Sequence, residues 1–178
     1  MLIGLLAFGL LLAAAVVAYN VLSDRVDAPE NIAETVGDLQ RAPDFVMEDI
    51  DGNEIRLSDF LGRPVVLNFW TTWCPSCVRE IPYFEWLYQD DENDVQVLKV
   101  NLIGSRGETH STVESFMQAG GYTFPLYFDT VGEGAREYNV RAIPATFFIT
   151  SEGYIAANVQ GAVNETTLQS GLDLINTR

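Results

Sequence analysis

At 178 residues, 48% of them hydrophobic, the chain is long enough for one domain with its own core plus an appendage. Twenty-five acidic against ten basic residues leave a net charge of −15, which argues against nucleic acid or an anionic lipid surface as a partner. Two cysteines and one histidine fall short of the ligand set of a structural zinc site.

In chain order, Met1 to Ser23 carries no charged side chain, and Leu2 to Leu22 is long enough to cross a bilayer core of about 30 Å. This segment, residues 1–22, reads as a transmembrane signal anchor. The alternative is a signal peptide cut after Val16-Val17-Ala18; length favours retention. No cysteine lies nearby to carry a lipoprotein anchor. Residues 23–42 form a polar tether, with a short helix near Ile32 to Leu39. Pro43 opens the domain, residues 43–178. Phe45 to Ile50 and Glu54 to Leu57, joined by Asp51-Gly52-Asn53, read as a hairpin, and Ser58 as the cap of a short turn.

Val65 to Trp70 is an apolar run broken only by Asn68, as in a strand buried on both faces. A helix follows from Pro75 to about Gln89, with Ile81, Phe84, Leu87 and Tyr88 at helical spacing and Pro82 expected to kink it. Val95 to Ile103 is a second buried strand. Ser111 to Glu114 has the form of a capping box, opening a helix that stops at Gly120-Gly121. Then come a strand at Phe124 to Phe128, a helix at Gly132 to Tyr138, strands at Thr146 to Thr150 and Ile155 to Val159, and a last helix capped by Asn164. His110 falls in a polar loop and reads as a surface residue. This order predicts an α/β fold, a mixed central sheet with helices on both faces.

The chemistry points to Trp73-Cys74-Pro75-Ser76-Cys77, between the first buried strand and its helix. Positions i and i+3 on a helix lie roughly 5 to 6 Å apart at Cβ, so the pair can switch between dithiol and disulfide. With Cys74 as N-cap, Pro75 falls where its missing N–H costs nothing, and the free N–H groups of the first turn face the Cys74 sulfur. The helix dipole favours a thiolate there, which predicts Cys74 as the attacking sulfur and Cys77, one turn deeper, as the resolving one. A static disulfide closing so short a loop would stabilise little, and a haem attachment would need His where Val78 stands.

With these elements in this order, Asn68-Phe-Trp-Thr-Thr-Trp-Cys-Pro-Ser-Cys-Val-Arg-Glu-Ile-Pro82 resembles the active-site stretch of thioredoxin-fold proteins. More narrowly, it resembles the membrane-tethered, extracytoplasmic thiol-disulfide oxidoreductases of the ResA/TlpA/CcmG type. The early hairpin, an inserted segment near Thr112 to Phe128 and Ala142-Ile143-Pro144 extend the likeness over residues 43 to 178. It implies a three-layer thioredoxin-like fold with an N-terminal hairpin and a central insertion. In that family the residue matching Pro144 forms a cis peptide facing the dithiol, which would free the Ile143 backbone to pair with substrate beside Cys74. Where thioredoxin has a buried Asp, this chain has Asn68, which cannot take a proton. Glu80, i+3 from Cys77, matches the acidic residue of ResA-like reductases and is the candidate base, the alternative being a solvated or ion-paired first-turn acid. Trp73 is a candidate substrate contact, or else a core tryptophan.

The resemblance implies a reductase of exported protein disulfides, with apocytochrome c as the usual substrate. Electrons would come from a membrane donor of the CcdA/DsbD kind, without cofactor or metal, and the catalytic domain would stand outside the cell membrane on a single span. A dithiol oxidase or isomerase would use the same residues, because direction depends on a reduction potential that Pro75-Ser76 does not determine. A peroxidase of the peroxiredoxin kind needs Pro-x-x-x-Thr-x-x-Cys, met at Thr71 and broken at Leu67. An anchored binding module with an incidental dithiol is the non-enzymatic alternative.

Overall fold

The structure is a computed structural model that describes residues 40–90 and 93–176. The expected span at 2–22 and the tether helix at 32–39 lie outside the described residues. Among the described residues no helix is long and apolar enough to cross a membrane.

The elements run β1 (Val46–Asp49), β2 (Glu54–Arg56), a 3-10 turn (Leu57–Phe60), β3 (Val65–Trp70), α1 (Pro75–Gln89) and β4 (Gln96–Asn101). A second 3-10 turn (Ser105–Gly107), α2 (His110–Gly120), β5 (Leu126–Phe128), α3 (Glu133–Glu137), β6 (Ala145–Ile149), β7 (Ile155–Gln160) and α4 (Glu165–Asn176) follow. The sheet has the order β2-β1-β5-β4-β3-β6-β7. β3 pairs parallel with β4 and antiparallel with β6, β4 pairs parallel with β5, and both edges end in antiparallel hairpins. This is the expected mixed sheet, with β3 near its middle.

Alternation along β3 divides the core. Leu67 and Phe69 face Phe45, Tyr138 and Phe147, whereas Val66 faces Phe84 and Leu87 of α1 and Leu168, Leu172 and Ile175 of α4. Asn68 and Trp70 share the Val66 face and lie under α1, so two polar positions of this layer, Asn68 and its neighbour Lys99 on β4, are enclosed by helix. Trp70, Cys77 and Ile81 pack with Val113 and Met117 of α2.

The hairpin turn is closed by Asp49, whose carboxylate accepts from the N–H groups of Asp51 (2.9 Å) and Asn53 (2.8 Å), while Gly52 takes φ +81°. Several boundaries differ from expectation for local reasons. Thr109, not Ser111, caps α2: its hydroxyl accepts from Thr112 N–H (3.2 Å), and the Thr112 hydroxyl accepts from Thr109 N–H (2.9 Å). Ser58 lies inside its turn, where Asp44 accepts its N–H (3.0 Å), and Asp59 accepts from Arg56 N–H (2.8 Å) at the start. β5 begins only at Leu126: Pro125 has no N–H to give the ladder, and Glu85 takes the N–H groups of Thr123 (2.9 Å) and Phe124 (3.3 Å) before it. α1 runs through Pro82 without a break, and Tyr88 faces solvent while Ile81, Phe84 and Leu87 are buried. His110 is the first residue of α2, its ring 4.2 Å from that of Phe128 and its Nε2 3.9 Å from Glu48. The chain joins the sheet edge before Pro43, through Ala42 N–H to Gly153 (2.9 Å) and Ile155 N–H to Gln40 (2.9 Å).

Candidate active site

Cys74 is the N-cap of α1, with β-region backbone angles and Pro75 in the first turn, as Pro at the start of a helix dictates. The Cys77 N–H donates to Cys74 Sγ at 3.3 Å, so the positive end of the helix is aimed at that sulfur. Both thiols are free. Cys74 retains 6% exposure and Cys77 none, which leaves one sulfur within reach of a partner and the other behind it. Burial pushes the Cys77 thiol well above its ordinary value, and the hydrogen bond with Cys74 and the negative charge of Glu80 add to the effect.

Facing the dithiol, the Ile143–Pro144 peptide is cis, and the Ile143 carbonyl lies 3.7 Å from Cys74 Sγ. Ile143 is partly exposed and Pro144 buried. On another side, the partly buried indole of Trp73 donates from Nε1 to the Ser105 carbonyl (3.1 Å), and the Arg106 guanidinium lies 4.4 Å from its ring centroid.

Below the sulfurs is a buried polar cluster. Asn68 Nδ2 donates to Glu80 Oε1 (2.8 Å) and to Thr146 Oγ1 (2.9 Å), and Lys99 Nζ donates to Asn68 Oδ1 (2.8 Å). Lys99 Nζ lies 3.8 Å from Glu80 Oε1, with both side chains fully enclosed. The second Glu80 oxygen accepts from the N–H of Val163 at 3.0 Å. Burial raises the Glu80 carboxyl above the usual carboxylate range, and Lys99, Val163 and Asn68 pull it back down. The same burial lowers Lys99 to about 8, partly offset by the Glu80 charge. The ammonium is also ringed by aromatic faces, with Phe84 at 4.1 Å, Trp70 at 5.2 Å and Phe124 at 5.8 Å. Arg79, Glu80, Tyr83, Val163 and Asn164 line a cavity of about 340 Å³.

The structure thus brings Cys74, Cys77, Glu80, Trp73, Ile143 and Pro144 into one region. It also adds two groups that sequence reasoning passed over. Lys99 is one; its signal was a lone charge inside the apolar run of β4. Glu108 is the other. Nearly buried, it accepts from Thr72 N–H and Oγ1 (both 2.7 Å) and from Asn101 Nδ2 (2.8 Å), clamping the segment that leads into Cys74. Glu108 follows a turn rich in glycine and polar residues and carried no pattern of its own. Among the described residues no cluster of three or more His, Cys, Asp or Glu side chains is placed to hold a metal ion.

Residues 39–158 match the AhpC/TSA family. The chain is 36% identical over 167 residues to the thiol-disulfide oxidoreductase ResA of Geobacillus kaustophilus, covering 93% of this chain and 91% of the relative. It is 36% identical over 143 residues to ResA of Bacillus subtilis, covering 80% and 78%. Among solved structures, StoA from Bacillus subtilis superposes with a TM-score of 0.63 at 32% identity, covering 72% of this chain and 96% of StoA. By sequence and by architecture, the chain belongs to the AhpC/TSA family and is a thioredoxin-fold thiol-disulfide oxidoreductase of the ResA type.

Proposed function

We propose that the protein reduces disulfides of exported proteins, apocytochrome c among them, through Cys74 and Cys77 with Glu80 as the proton acceptor. The observation that carries this reading is the asymmetry of the two sulfurs: one at the helix N-terminus beside Ile143, the other sealed above a buried carboxylate.

In the forward step the Cys74 thiolate attacks one sulfur of the substrate disulfide. A mixed disulfide forms on Cys74, and the other substrate sulfur leaves as a thiolate and takes a proton. Cys77 then gives its proton to the Glu80 carboxylate and attacks Cys74. The Cys74–Cys77 disulfide forms and the second substrate thiolate departs, so two electrons have passed from enzyme to substrate. The elevated Cys77 value keeps that thiol protonated until a base receives the proton, and Glu80, raised by burial yet held in check by Lys99, suits the exchange. Trp73 and Ile143 would contact the substrate on either side of Cys74, with Pro144 holding the Ile143 loop in place.

In this reading residues 1–22 anchor the chain in the cell membrane as a single span with the catalytic domain outside, and a membrane donor of the CcdA/DsbD kind restores the dithiol. The peroxidase alternative lacks support at Leu67, which is buried in β3 opposite Phe147 where the peroxidase pattern needs proline. Measuring the reduction potential against glutathione tests the direction. A value near that of thioredoxin, about −270 mV, is expected, and one near that of DsbA, about −120 mV, would contradict reduction.

A further inference from the structure

Where the few cations of this acidic chain sit is uneven. Among the described residues Arg56, Arg63, Arg136 and Lys99 each lie within 4 Å of a carboxylate, on Asp44 (3.4 Å), Asp94 (2.9 Å), Glu137 (3.9 Å) and Glu80 (3.8 Å). Four arginines have no such partner there. Arg41 covers the ring of Tyr154, in the turn between β6 and β7 at the Val65 end of β3, away from the dithiol. The other three lie next to residues that surround Cys74, on three different elements. Arg79 is on α1 two residues past Cys77, its Nη2 3.0 Å from Ser76 Oγ. Arg106 lies over Trp73. Arg141 is two residues before Ile143, its Nε 3.2 Å from Asn139 Oδ1.

Arg106 is held there by construction. The turn closes on itself through Gly104 N–H to Glu108 (3.0 Å) and Glu108 N–H to Ser105 (3.0 Å). Arg106 itself takes φ +49°, a left-handed conformation uncommon for a residue with a Cβ. The turn is fastened to both residues preceding Cys74, to Thr72 through Glu108 and to Trp73 through Ser105. The guanidinium carried by this turn offers a planar fork to a carboxylate.

We infer that Arg79, Arg106 and Arg141 form a cationic rim that recognises Asp or Glu side chains flanking the target cysteine of a protein substrate. The inference rests on the proposed exchange at Cys74 and names the substrate feature that this site selects. The net charge of −15 does not oppose it at contact range, because charges beyond about 8 Å are screened at physiological ionic strength. Among the described residues, Glu80 and Glu108 are buried in hydrogen bonds, and Glu137, which lines a cavity of about 630 Å³ with Arg141, lies 3.9 Å from Arg136.

The test uses the full-length reduced protein in a non-ionic detergent. Its substrates are two peptides with the same internal disulfide, one flanked by Asp and the other by Lys, each rate being divided by that for a small neutral disulfide. The Asp-flanked peptide should react about tenfold faster than the Lys-flanked one at 0.05 M salt and less than about threefold faster at 0.5 M. In the Arg79→Gln/Arg106→Gln/Arg141→Gln protein the ratio should fall to about one. Equal rates in the parent protein, a preference for the Lys-flanked peptide, or a ratio unchanged by the triple substitution would overturn the rim and leave the oxidoreductase reading standing. Failure to exchange with all three disulfides would overturn that reading and the rim with it.

Discussion

Replacing Lys99 by Met removes the positive partner of Glu80 and leaves a side chain of similar length that suits the surrounding Phe84, Trp70 and Phe124. Two unit charges 3.8 Å apart, as in this pair, attract by about 4 kcal/mol at an effective dielectric near 20, and about 1.4 kcal/mol moves a titration midpoint by one pH unit. Water drawn toward the uncovered carboxylate and the persisting hydrogen bonds from Asn68 and Val163 absorb half or more of this. The acid limb of the pH profile of kcat/KM for a disulfide peptide should therefore move up by about one to two pH units. On the acid limb the rate should drop by up to about tenfold for each pH unit of displacement and recover as the pH rises. In a Glu80→Gln background the same substitution should produce no such displacement, because the carboxyl that it acts on is gone. A Lys99→Met protein that folds, as judged by its near-UV circular dichroism, and keeps the parent acid limb would refute the claim that Glu80 takes the Cys77 proton under the control of Lys99.

Stability should report the same lysine independently. Its value falls from 10.5 to about 8 on folding, so between those pH values the unfolded chain binds the extra proton and stability rises with pH. Cys77, raised on folding from 9.0, acts in the opposite sense at the alkaline end, so the comparison belongs in Cys77→Ala. In urea denaturation the advantage of Cys77→Ala over Cys77→Ala/Lys99→Met should grow by something on the order of 1–3 kcal/mol from pH 8 to 10.5, and a constant difference would contradict it. Glu108→Ala strips the acceptor from Thr72 N–H and Asn101 Nδ2. It should cost about 2–3 kcal/mol in the same assay and slow exchange, with Glu108→Gln intermediate, whereas full stability would show that the clamp is dispensable.

Residues whose neighbours in sequence are also their neighbours in space were legible from the start. Cys74, Pro75 and Cys77 declared a capped helix with a dithiol, and Asp49 to Asn53 declared a hairpin, because one turn of helix or one tight turn settles both. The alternation of Val66 and Leu67 could not say which face would hold Asn68, since both faces of β3 are covered. What lay beyond reach depended on pairings across the sheet. Lys99 meets Glu80 only because β4 lies beside β3 under α1, and Glu108 meets Thr72 across 36 positions of chain. Competition for backbone donors moved the boundaries: Thr109 and Thr112 satisfied each other ahead of Ser111, and Glu85 claimed the N–H groups that precede Pro125 and the start of β5.

The most direct measurement is trapping. Reduced Cys77→Ala, mixed with a disulfide-bonded peptide and read by intact mass and peptide mapping, should accumulate a single mixed disulfide at Cys74, and Cys74→Ala treated in the same way should remain unmodified. An adduct on Cys77 in Cys74→Ala at a comparable rate, or no adduct on Cys74 at all, would contradict a mechanism in which the helix-capping sulfur attacks and the buried one waits to resolve.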